Sequence, residues 1–152
     1  MAKKKLRVGV VTARFNSEVT EKLEEGALSL LEENEVEVFN VKVPGAVEIP
    51  LACQTLFEAG CAGVVALGAV IRGETSHYDS VCNSVERGVT QLMLQYKKPI
   101  GFGVLMTEND EQALDRSGGK HGNKGAEAAQ VMLEMMGLID DIKKFSAKKK
   151  KK

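Results

Sequence analysis

GVVALGAVIRGETSHYDSVCNSVERGVTQLMLQY, residues 63 to 96, is the stretch whose reading decides the fold. Gly63–Ile71 is apolar throughout, as expected of a strand buried on both faces. The chain then turns polar within two positions, with Arg72, Glu74, Thr75, His77, Tyr78 and Asp79 close together. From Asp79 to Tyr96 the spacing becomes helical, and Val81, Val85, Val89, Leu92, Met93 and Tyr96 fall on one face. A buried strand followed by a helix with one apolar stripe is half of a β-α-β unit.

The same alternation extends in both directions. Leu6–Ala13 reads as a strand, 17–34 as a helix, Val36–Val43 as a strand and 47–59 as a helix closed at Gly60. Residues 100–106 form a fourth strand. Asn109, with Gln112 three residues on, reads as the cap of a short helix reaching Ser117, and 123–138 as the last helix. Strands that alternate with helices predict an α/β fold, a three-layer α/β/α sandwich of flavodoxin-like type around a four-stranded parallel sheet.

Bulk properties agree with one soluble domain. The chain has 152 residues, 43% hydrophobic and 28% charged. No apolar run is long enough to span a bilayer and no signal peptide is evident at the start, so the expected compartment is the cytoplasm. Cys53, Cys61 and Cys82 suit reduced thiols. The formal net charge is zero, but ten of the 21 basic residues lie at the two ends. The other eleven face all 21 acids, which leaves residues 6–142 at about −10. The expected organisation is one domain over 1–142 and a basic, disordered tail over 143–152, with neither nucleic acid nor membrane as partner.

Open parallel sheets bind ligands beyond the carboxyl ends of their strands. The unusual polar residues gather there: RFN after the first strand, VPGAVEIP after the second, RGETSHYD after the third and TEND after the fourth. Gly73 permits a sharp turn, and Thr75 and Ser76 bring hydroxyls and backbone N–H groups to a helix N-terminus, a place for phosphate or carboxylate. His77 adds an imidazole, which gives and takes protons near neutrality, or else serves only to cap the helix. Glu48 is the one acid of an apolar segment and suits either substrate hydroxyls or an exposed helix start. Phe15 and Phe102 can stack on a flat ring or pack in the core. In DRSGGKHGNKG, residues 115–125, Arg116 can grip a phosphate, and Lys124 opens a helix, where a cation is unfavourable unless solvated or facing an anion. Cys82 reads as packing. Gly119-Lys120 precedes His121 rather than Ser or Thr, so the Walker pattern fails; Gly101 and Gly103 lack the third glycine of a dinucleotide fingerprint; and His and Cys show no zinc spacing. Neither a nucleotide cofactor nor a metal is expected.

RFN, VPGAVEIP, GAVIRGETSHYDSVCN, FGVLMTEN and RSGGKHGNKGAEAA together resemble the lumazine synthase family, in order and with family-like spacing from about residue 7 to residue 138. The resemblance implies a cofactor-free transferase of riboflavin biosynthesis. It would condense 5-amino-6-(D-ribitylamino)uracil with 3,4-dihydroxy-2-butanone 4-phosphate to 6,7-dimethyl-8-ribityllumazine, phosphate and water. It further implies that Phe15 stacks on the pyrimidine and that Ala46, Val47 and Glu48 line the ring and ribityl pocket. Ala69, Val70 and Ile71 would supply backbone contacts, and Glu74 and Thr75 would lie at the phosphate. His77 would transfer protons; Phe102 and Arg116 would come from a neighbouring copy, with Arg116 on the phosphate and Lys124 supporting its charge. The implied assembly is a homo-oligomer, a pentamer or a 60-subunit icosahedral shell, with riboflavin synthase as a cargo of such a shell. Relative to the family, Val47 replaces a frequent aromatic and Glu74 a small residue. Two alternatives stand beside this reading: a Schiff-base lyase using Lys124, and a non-catalytic shell or flavin-binding protein of the same fold.

Overall fold

The computed structural model describes residues 5–74 and 76–150, with side chains to 148. Four parallel strands, β1 (Leu6–Ala13), β2 (Val36–Val43), β3 (Gly63–Ile71) and β4 (Ile100–Thr107), lie in the order β2-β1-β3-β4. β1 pairs in register with β2 from Leu6↔Val36 to Ala13↔Val43, and β3 with β4 from Val64↔Ile100 to Ile71↔Thr107. The sandwich expected from the sequence is therefore the fold.

Strand alternation sorts the core into two halves. Val11, Ala13, Val64, Ala66 and Val104 face α2 (Ile49–Glu58) and α3 (His77–Tyr96), meeting Ile49, Cys53, Leu56, Phe57, Val81, Val85 and Val89. Val8, Val10, Val65, Leu67 and Ala69 face α1 (Ser17–Glu32) and α5 (Lys124–Lys150), meeting Val19, Leu23, Ala27, Leu31, Ala129 and Met132. Each fully buried side chain of this size contributes roughly 1.5–3 kcal/mol. The central strands are buried on both faces, whereas the edge strand β2 alternates between partly buried and exposed positions.

Two glycines allow α5 to lie close against its neighbours. A Cβ on Gly101 would collide with the backbone oxygen of Ala128, and one on Gly125 with that of Leu23. Gly101 thus serves packing, which accounts for a glycine in β4 without any nucleotide fingerprint.

Element limits differ from the sequence reading in a few places. The helix expected from Val47 begins with a 3-10 turn, Ala46–Glu48, before α2 starts at Ile49, with Pro50 in its first turn. The short helix α4 spans Asp110–Asp115, and the side chain of Asn109 accepts from the Gln112 N–H at 2.9 Å, as its spacing predicts. A small antiparallel ribbon, β5 (Ser117–Gly119) with β6 (Gly122–Asn123), has no counterpart in the sequence reading. α5 runs past Leu138 to Lys150, so the segment read as a disordered tail is helical over its described part. Lysine is a good helix former, and the Lys144–Asp140 pair at 3.1 Å spans one turn. Among the described residues no helix is long and apolar enough to cross a membrane.

Candidate active site

The loops after β1 and β2 are tied to each other. The Arg14 N–H donates to Val43 O at 2.8 Å, and the Phe15 N–H to Pro44 O at 3.1 Å. Asn16 then takes the left-handed region, φ 65°, which Asn tolerates better than most residues. Its carbonyl accepts from the Val19 and Thr20 N–H groups, and its side-chain amide donates to Ala69 O at 2.8 Å. One residue thereby turns the chain into α1 and fastens the Phe15 loop to the end of β3. Phe15 itself is 71% exposed, which no core ring would be. Val47 and Glu48 are exposed beside it, and Glu48 accepts the Gly45 N–H at 2.9 Å, half of a capping box.

At the end of β3, Ala69 is buried while Val70 and Ile71 are half-buried. Gly73, Glu74 and Ser76 are exposed, and Thr75 lies outside the described residues. Ser76 occupies the cap position of α3 without a side-chain cap bond. His77 is the first residue of that helix and is exposed. Tyr78 behind it is half-buried; burial, and next the adjacent Cys82 thiol, push its phenol above the ordinary value. Cys82 is buried, and burial raises its thiol, as suits packing rather than nucleophilic work.

The second cluster lies on the far side of β4. A cleft of about 450 Å³ is walled by Val104–Thr107, Gln112, Arg116, His121, Lys124 and Glu127. Arg116 donates to Gln112 O at 3.1 Å, and its own carbonyl accepts the Lys124 N–H at 2.8 Å. Gly118 and Gly122, both at positive φ, shape the ribbon that carries His121. Asn123 caps α5: its Oδ1 accepts from the Gly125 and Ala126 N–H groups at 2.8 and 3.1 Å, and its Nδ2 donates to Lys22 O at 3.0 Å. Arg116 and Lys124 bring two cations beside the N-terminus of α5, with the acid Glu127 in the same lining.

Arg116 and Lys124 thus meet in one cleft, while Phe15, Ala46–Glu48, Ala69–Ile71, Glu74 and His77 share the carboxyl edge of the sheet. None of the latter group lines the Arg116 cleft. Phe102 sits inside β4 opposite Ala66, half-buried against the α2–α3 half of the core. A larger groove of about 550 Å³ between β2 and α2 contains none of Phe15, Glu48, His77 or Arg116, so size does not select the site. Asn16, Gln112, His121 and Glu127 are not among the site residues expected from the sequence. Glu127 was legible in principle, three residues after Lys124 on one helical face; the tie from Asn16 to Ala69 spans 53 residues and leaves no local trace.

These features define a class: a flavodoxin-like α/β protein with polar loops at the strand ends and a separate cleft, lined by Arg116 and Lys124, at the sheet edge. The chain belongs to the 6,7-dimethyl-8-ribityllumazine synthase family, whose model matches residues 5–140. Proteins named 6,7-dimethyl-8-ribityllumazine synthase resemble it closely. One from Bdellovibrio bacteriovorus is 73% identical over 139 residues, covering 91% of this chain and 78% of that protein. One from Pediococcus pentosaceus is 49% identical, covering 91% of each, and one from Desulfovibrio desulfuricans 47%, covering 91% and 92%.

Proposed function

We propose that this chain condenses 5-amino-6-(D-ribitylamino)uracil with 3,4-dihydroxy-2-butanone 4-phosphate, and that two adjacent copies build each active site. The observation carrying the reading is the division described above: the phosphate-gripping pair Arg116 and Lys124 lines a cleft that holds neither His77 nor Glu48. A second copy set against the strand ends brings the two halves together.

In this arrangement Phe15 stacks on the pyrimidine, and Ala46, Val47 and Glu48 line the ring and ribityl chain. Backbone groups of Ala69, Val70 and Ile71 hold the ring edge. Glu74 and Thr75 flank the phosphate beside the N-terminus of α3, with the Glu74 carboxylate turned away from it. Arg116 of the neighbouring copy grips the phosphate, Lys124 supports the charge, and Phe102 of that copy closes the ring pocket. His77 moves the protons of imine formation, phosphate elimination, tautomerisation, ring closure and loss of the second water. No step changes oxidation state. Holding both substrates together removes much of the entropic barrier to a two-substrate reaction, so proton transfer is one contribution among several. The proposed assembly is a cyclic homo-oligomer, a pentamer, working in the cytoplasm; closure of a ring supplies every copy with a neighbour. Twelve such rings closing into a shell, with riboflavin synthase inside, is the larger assembly of the same reading.

Purified protein given both substrates should produce the fluorescence of the lumazine and release one phosphate per product. Folded protein that yields no lumazine from this pair sinks the proposal.

A further inference from the structure

The turn that carries His77 is braced from outside itself. Arg72 follows the last residue of β3, and its backbone N–H donates to Thr107 O at 2.9 Å. Its Nε donates to Glu108 Oε2 at 2.7 Å, and its Nη2 reaches Asp79 Oδ1 at 3.5 Å. The guanidinium carbon stands 4.4 Å from the centroid of the Tyr78 ring. Glu108 lies just beyond β4, while Tyr78 and Asp79 belong to the first turn of α3. A single side chain therefore joins the start of the loop, its far end and the loop after the neighbouring strand. Glu108 is held in its turn, since its backbone N–H donates to Gln112 Oε1 at 2.9 Å. Inside the loop packing gives no comparable support at Gly73, where an added methyl group would touch nothing within 4 Å.

We propose that Arg72 is a positioning residue for the condensation: through Glu108, Asp79 and Tyr78 it ties the end of β3 and the loop after β4 to the first turn of α3, so that His77 meets the substrate in one orientation. This rests on the function proposed above. The role assigned to Arg72 is positioning rather than catalysis, since its Nε and Nη2 point to Glu108 and Asp79. The planar fork that serves two carboxylates while stacking on a ring is a property of arginine that lysine lacks. Both ion pairs are exposed, and such pairs add little to global stability, so the effect of the clamp is local.

Two measurements on the full-length protein test it. Hydrogen exchange of the amides of residues 73–80 needs no substrate. It should quicken in Arg72→Ala and in Glu108→Gln, with Arg72→Lys restoring little, while exchange in β1 and β3 stays as in the parent. Parent-like protection of 73–80 in both variants overturns the inference. In turnover, Arg72→Ala should lower kcat by no more than the roughly tenfold of His77→Ala, while leaving KM for the pyrimidine substrate within about twofold, the loss expected of a displaced catalytic group. Placed in a His77→Ala background it should cost nothing further, because its action runs through His77. A full multiplicative loss in that background overturns the inference. Should Arg72→Ala fail to fold, Glu108→Gln carries the same expectations. A parent protein that makes no lumazine refutes the proposed function instead, and the exchange result alone then decides for or against the clamp.

Discussion

The His77 turn and the Arg116 cleft both follow strands of the same sheet, yet they are held in different ways. Around His77 the reactive groups stand exposed on loops, fastened by bonds such as Asn16 to Ala69 and Arg72 to Glu108. Around Arg116 the chain forms a true concavity, with a strand, a ribbon and a capped helix as walls. The first region presents an exposed imidazole, His77, and an exposed ring, Phe15. The second offers an enclosure lined by Arg116, Lys124, His121 and Glu127. Phe15, Glu48 and His77 belong to the one region and Arg116 and Lys124 to the other, which is the arrangement expected if copies of the chain complete one another's sites.

The sharpest way to break this comparison is to delete one group on each side. Arg116→Ala should cost about a hundredfold in kcat/KM, at the upper end for a charge-assisted hydrogen bond, measured by lumazine fluorescence. His77→Ala should cost nearer tenfold, since orientation of the two substrates survives it. Equal inactivity of the two variants would contradict the division of labour. Mixing the two variants and letting them reassemble should then regain about a quarter of the parent activity, because random neighbours restore an intact pair at one site in four. No recovery would place both residues in a site made by one chain.

Smaller effects probe the supports beneath each region. Under the cleft, Asn123→Ala removes the α5 cap and the tie to Lys22, at about 1–2 kcal/mol in urea unfolding, and should raise KM for the phosphorylated substrate more than it lowers kcat. In the α2–α3 half of the core lies Cys53, whose thiol burial pushes up to about 12. The unfolded chain releases this proton near pH 8.5–9 and the folded chain holds it, so the stabilisation is complete below that range and declines as pH rises towards 12. Between pH 8 and 10 the decline should be about 1–2 kcal/mol, and Cys53→Ala should flatten that slope.

The sheet was legible in the sequence because β3 is an unbroken apolar run and β1 nearly one, broken only by Arg7 and Thr12, and runs of that kind suit a buried strand of an α/β chain. The helices were legible from their stripes, although their ends shifted where caps and backbone turns decide them, as at Ala46–Glu48. The ribbon at Ser117–Asn123 escaped notice, since strands of two or three residues carry no periodicity and these are held by contacts such as His121 N–H to Asp115 O. Candidate residues at the carboxyl edge could be named from position and chemistry together. The partition between edge and cleft could not, because it depends on which side of β4 a side chain falls and on bonds such as Arg72 to Glu108, 36 residues apart.

Asn123 also orders events in time. It clasps the carbonyl of Lys22, 101 positions earlier in the chain. During synthesis the first helix can gain that clasp only after residue 123 has left the ribosome. Nascent chains halted before residue 123 should remain open to proteases around Lys22, and release of the final segment should close that window in a single late step.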